Sequence, residues 1–206
     1  MLDSLIDYNA TDLLALLKKR DISGVELIER CIQQYHDVNP SLNAFVETNF
    51  EESRKLFKKF DDEFGTDDHP EPFLPLPVGV KDLNDVKGLK TTFGSPLFKN
   101  NVAKSDDDVV AQIKKASAII FGKTNVPEHG FGATTTNPLQ GSTGNPFDKS
   151  LSAGASTGGG AAAVASGIVP LATGSDFAGS LRTPASFCGI AGMRPSNGVV
   201  GTNRRS

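Results

Sequence analysis

The residues of this chain that could do chemistry are hydroxyls set in glycine-rich backbone and one lysine at the end of an apolar run. Residues 154–160 read GASTGGG, which places Ser156 and Thr157 inside a stretch, 152–168, with no long side chain. A serine hydroxyl is a weak nucleophile until a neighbouring base takes its proton. All three histidines (His36, His69 and His129) precede Ser156, and only His129 sits in a loop of suitable composition. A lysine is the alternative base. At an ordinary lysine pKa of about 10.4, fewer than about one amine in a thousand is neutral at pH 7. Burial has to lower that value by roughly 3 units, a differential of about 4 kcal/mol, before the amine can serve efficiently. Lys81 follows the apolar residues 76–80, where such burial can occur, whereas most other lysines lie in charged runs.

Three familiar motifs are present only in part. Residues 117–124 (SAIIFGKT) end like a phosphate-binding loop, but the first glycine is missing and the four intervening residues are apolar, so the segment reads as a strand ending in a turn. Residues 154–158 fit the G-x-S-x-G nucleophile elbow, yet in that fold the histidine follows the serine, and none does here. Gly130 and Gly132 open a G-x-G pair that Thr135 leaves incomplete as a dinucleotide fingerprint.

The elements that must position these residues follow from periodicity. Ser23 and Glu26 form a capping box ahead of Ile28, Cys31, Ile32 and Tyr35, which predicts a helix from about residue 24. Leu13, Leu14, Leu16 and Leu17 predict one before it. Residues 43–48 read as a short strand, and residues 51–64 as a helix with Leu56, Phe57, Phe60 and Phe64 on one face. The acidic, proline-containing residues 65–75 read as an exposed loop. A strand at 76–80 follows, then a helix capped by Ser105 with Asp106, Asp107 and Asp108 at its positive end and Val109, Val110, Ile113 and Ala116 on its buried side, then a buried strand at 118–121. Residues 158–160 are expected as loop, with an alanine-rich helix after them. Ser156 could cap that helix. The strand and helix alternation predicts an α/β sheet.

At 206 residues the chain is long enough for one domain with its own core. A formal net charge of −3 with no polybasic stretch points to a small-molecule partner rather than nucleic acid or a membrane surface. Cys31 and Cys188 lie far apart and form neither a disulfide framework nor a metal-ligand cluster, so no metal and no cofactor is expected, and a reducing cytoplasm fits. The amino terminus lacks the positive region of a signal peptide, and no apolar run is long enough to span a bilayer.

Five blocks carry a resemblance: GVKD at 79–82, GKTN at 122–125, GNPFD at 144–148, GASTGGGAAAVASG at 154–167 and GSDFAGSLRTPASFCGIAGMRPS at 174–196. In this order they resemble the amidase signature family. The resemblance implies a mixed sheet flanked by helices and a hydrolase that cleaves an amide through an acyl-enzyme. It implies Lys81 as base, Ser156 as bridging serine on a cis peptide and Ser180 as nucleophile. It also implies backbone oxyanion donors at Phe177, Ala178, Gly179 and Ser180, with Thr157, Asp176 and Arg182 holding the two serine loops together. Asp176 and Arg182 are expected as ion partners, Cys188 as a core residue and His129 as a packing histidine.

The chain departs from the family at Ala155, Thr157 and Ala178, and a Cβ at 178 would be strained if that position needs a positive φ. Family members run to more than twice this length. The chain is therefore expected to be a partial amidase domain, with a helical region at 1–65, a loop at 66–75 and an α/β core at 76–206. It would be poorly stable alone, self-associate or take its missing half from a second chain. The alternatives are an inactive remnant and an amidotransferase component that works on misacylated tRNA.

Overall fold

The computed structural model describes residues 7–63 and 75–200, so Phe64, all of the expected loop before Pro75 and the last six residues lie outside what is described. Helix α1 (Ala10–Lys19) is capped reciprocally by Asn9 and Asp12. Helix α2 (Gly24–Leu42) starts on the predicted Ser23–Glu26 box, and the Asp61 carboxylate of α3 (Phe50–Glu63) accepts the Gly24 and Val25 N–H groups. That contact needs a glycine, because a Cβ at Gly24 would lie 2.8 Å from the Phe57 ring. Of the three described residues on the expected apolar face of α3, only Phe57 is fully buried, with Phe60 packed beside it and Leu56 36% exposed. The short amphipathic helix thus buries a narrower stripe than its sequence offers.

The main sheet contains β1 (Phe45–Thr48), β2 (Pro77–Lys81), β3 (Ile119–Thr124) and β6 (Leu171–Ala172) in the order β1-β3-β2-β6. Strand β1 runs antiparallel to β3, whereas β2 is parallel to both β3 and β6, so the sheet is mixed. One core joins α1, α2, α3 and the alanines of α5 (Gly158–Ala165). A second gathers Val80, Val86, Val110 and Ile120 under α4 (Asp108–Lys115). Between these two cores β2 delivers its carboxy-terminal residues. A separate two-stranded ladder pairs β4 (Thr136–Asn137) with β5 (Gly141–Ser142), and α6 (Arg182–Phe187) follows the last serine loop.

Four local expectations are corrected. Ser105 does not cap α4; Asp107 occupies the cap position, its carboxylate accepting from the Asp85 N–H and the Asn84 amide, and only Val110 of the expected face is fully buried. Strand β3 continues through Gly122, Lys123 and Thr124 rather than turning at 121. Residues 158–160 are the first turn of α5, not a loop, since the helix must approach backbone that no side chain would permit: a Cβ at Gly159 would lie 2.6 Å from the Asn125 carbonyl and 2.7 Å from that of Ala44. Thr157, not Ser156, stands at the start of that helix, with no side-chain cap.

Candidate active site

Lys81 closes β2, whose five residues are all buried. Successive strand residues point to opposite faces, so Val80 enters the α4 core while Lys81 turns toward the start of α5. Its Nζ lies 2.8 Å from Ser156 Oγ, 2.8 Å from Thr157 Oγ1 and 2.9 Å from Ser175 Oγ. The side chain is fully buried, and every hydrogen-bonded neighbour is an uncharged oxygen. Burial pushes the amine down from its ordinary 10.5 to about 7, against the opposing pull of the Asp176 charge. A large share of the amine is then neutral near pH 7.

Ser156 is 2% exposed and follows a cis peptide bond from Ala155. The Thr157 N–H donates to the Ser180 carbonyl at 3.0 Å, which fastens the first serine loop to the second. Ser180 itself is half-buried, and among the described residues its hydroxyl has no hydrogen bond. Lys81, Ser156 and Thr157 are therefore in direct contact, while Ser180 joins them through its backbone. A slack hydroxyl in an unliganded site is ordinary, since such contacts tighten when substrate binds.

Asp176 organises the second loop. Its carboxylate, almost inaccessible, accepts from the N–H groups of Gly179, Leu181 and Arg182 and from the Arg182 guanidinium at 2.9 Å. These donors, Arg182 first, hold its pKa far below the ordinary carboxylate range. Arg194 adds a contact to the Asp176 carbonyl. The Gly179 N–H is thus committed to Asp176 at 2.7 Å, which leaves Phe177, Ala178 and Ser180 as the backbone donors without a partner among the described residues. The strain foreseen at Ala178 does not arise: the positive φ of this loop, 105°, falls on Gly179, and in the first loop it falls on Gly154.

Two groups of consequence escape sequence reasoning. Ser175 is the third oxygen on Lys81; its place in the GSDFAGS block was the available signal. Lys123 is the second fully buried lysine, with Nζ 2.8 Å from Asp82 and 2.9 Å from Thr91 Oγ1. The β2–β3 register shifts by one residue at Phe121, which brings Lys123 opposite Val80 and onto the Asp82 side of the sheet. No sequence pattern announces such a bulge. Cys188 is buried as expected, and His129, although exposed, packs its ring against Phe93 and Phe98. No group of three His, Cys, Asp or Glu side chains among the described residues is placed to hold a metal, and no described helix is long and apolar enough to cross a membrane.

The site thus sets a buried lysine amine against a serine hydroxyl on a mixed α/β sheet. The family model described as Amidase matches residues 26–205, and the chain belongs to the amidase signature family, whose hydrolases act on amides. It is 38% identical over 197 residues to a component of the glutamyl-tRNA(Gln) amidotransferase of Geobacillus kaustophilus, covering 96% of this chain and 41% of that protein. It is 39% identical over 192 residues to an acylamidase of Rhodococcus erythropolis, covering 93% of this chain and 40% of the relative. The structure of 6-aminohexanoate cyclic dimer hydrolase complexed with substrate superposes with a TM-score of 0.82 at 34% identity, covering 91% of this chain and 37% of that one. The chain thus spans about two fifths of the length of the proteins it matches.

Proposed function

We propose that this chain carries the catalytic centre of an amidase, with Lys81 as base, Ser156 as proton bridge and Ser180 as nucleophile. Neutral Lys81 accepts the Ser156 hydroxyl proton as Ser156 Oγ accepts that of Ser180. Ser180 Oγ then bonds to the amide carbonyl carbon, and the oxygen develops negative charge opposite the N–H groups of Phe177, Ala178 and Ser180. Loss of one such donor commonly costs about 3 to 4 kcal/mol of transition-state stabilisation. The relay returns the proton through Ser156 to the departing nitrogen, the carbon–nitrogen bond breaks, and an acyl ester on Ser180 remains. Water, deprotonated by the same relay, releases the acid. Thr157 and Ser175 keep the Lys81 amine aimed at Ser156, and the Asp176–Arg182 pair shapes the loop.

The observation that carries this reading is Lys81 itself, a fully buried amine with no carboxylate in contact, 2.8 Å from Ser156 Oγ. Treatment with a serine-directed fluorophosphonate tests it. A single adduct on Ser180, absent from Ser180→Ala, is the expected result; an unlabelled chain contradicts the reading and favours an inactive remnant.

The proposal extends to the whole chain as one catalytic unit that acts on a small amide, with an additional segment or a second chain completing the walls of the acyl pocket. A second reading draws on the amidotransferase relative: an amidotransferase component that works beside another chain on charged tRNA. Amide turnover by this chain alone, unaltered by glutamyl-tRNA, decides for the amidase.

A further inference from the structure

Three rings gather where two loops meet at the edge of the site. Phe93 and His129 lie nearly parallel, 6.5 Å apart and inclined by 22°, while Phe98 stands edge-on to both, at 5.2 Å from Phe93 and 5.9 Å from His129. The loops are joined by the His129 N–H, which donates to the Phe93 carbonyl at 2.7 Å. Phe93 and His129 both hold φ at 53°, in the left-handed region that side chains seldom occupy. Such backbone persists where the surroundings enforce it, commonly beside functional sites.

The cluster lies next to the proposed chemistry. Gly130, the neighbour of His129, approaches Ser156 so closely that a Cβ there would sit 3.8 Å from Ser156 Oγ, and 2.8 Å from the side chain of Leu83, two residues beyond Lys81. Yet the rings are not sealed in a core: His129 is exposed, Phe98 is 37% exposed, and Phe131 just beyond is 84% exposed. Partly exposed planar side chains beside a glycine that abuts Ser156, one of them an imidazole, offer faces and edges on which a flat group can stack, and a flexible alkyl chain gains the burial without the ring-to-ring attraction.

We infer that Phe93, Phe98 and His129 form the wall of a subsite for an aryl or heteroaryl substituent of the amide, so that the substrate class is aryl-bearing amides. This inference rests on the amidase reading and deepens it. The test compares rates of Ser180 labelling by two fluorophosphonates of matched length, one ending in phenyl and one in n-alkyl, for the unmodified chain, His129→Ala and Phe98→Ala. Ring pairing predicts a phenyl preference of about fivefold or more in the unmodified chain, falling toward unity in either variant, and retained in His129→Phe. Equal rates for the two probes, or a preference untouched by both variants, overturn the subsite. If neither probe labels Ser180, it is the catalytic reading that fails. The subsite is then read by saturation-transfer NMR, in which benzamide must receive saturation that cyclohexanecarboxamide does not, with loss of that difference in Phe98→Ala; equal transfer to the two amides refutes it.

Discussion

Replacing Lys81 by methionine will change the pH dependence of stability in a way that packing alone cannot imitate. In the unfolded chain the amine holds its proton up to its ordinary pKa of 10.5, whereas in the fold it releases it above about 7. Between those values the unfolded state binds one proton more, so the native state gains stability as pH rises. Below about 7 both states are protonated and the full penalty of burying the ammonium persists. For a drop from 10.5 to about 7, linkage gives a gain of about 3.5 kcal/mol between pH 7 and 10, with a limiting slope of about 1.4 kcal/mol per unit. The methionine variant lacks this component. Its lost contacts with Ser156, Thr157 and Ser175 displace its curve by a constant, and the other titrating groups cancel between the two proteins. Urea unfolding by circular dichroism at pH 6, 7, 8.5 and 10 measures the difference, provided the denaturant slopes agree. Parallel stability curves would refute the depressed amine, and with it the role of Lys81 as a neutral base.

Three further predictions follow from the same geometry. Ser175→Ala removes one of the three hydroxyls on the Lys81 amine and is expected to slow Ser180 labelling about tenfold, the worth of roughly one hydrogen bond, measured as a second-order rate with the fluorophosphonate; an unchanged rate would remove Ser175 from the site. Lys123→Met strands the buried Asp82 carboxylate and should destabilise the fold by about 3 to 5 kcal/mol, whereas Lys123→Met with Asp82→Leu recovers most of the loss; urea midpoints for the two proteins check this. Gly159→Ala places a methyl group against the Asn125 and Ala44 carbonyls and is expected to cost more than about 3 kcal/mol, a loss that Ala162→Gly, at another buried position in the same helix, should not match.

Much of this architecture could be read in advance where local chemistry decides it. The Ser23–Glu26 box located α2, the apolar approach to Lys81 announced a buried amine, and the glycine and alanine content of 154–165 marked a segment that other backbone approaches closely. What escaped depends on contacts between distant residues. Ser175 alone is an ordinary loop hydroxyl and acquires meaning only when β6 lays Thr173 beside β2. Lys123 stands in a strand beside a glycine, and only the one-residue bulge at Phe121 turns it toward Asp82. The glycines at 158–160 resembled a loop because poor helix formers start this helix; its tight docking on β1 and β3 overrides their intrinsic preference. His129 packs on Phe93 and Phe98 across a loop junction that is closed by its backbone bond to Phe93, a contact invisible to composition.

The most direct test of the central claim is the rate of Ser180 labelling as a function of pH. A buried amine that must be neutral to draw a proton through Ser156 predicts a rate that rises about tenfold per unit below the Lys81 pKa, is half-maximal near the value of about 7 set by burial, and reaches a plateau above it. Lys81→Met should abolish labelling at every pH. A rate that does not depend on pH between 5 and 9, or an adduct on any residue other than Ser180, would contradict the account.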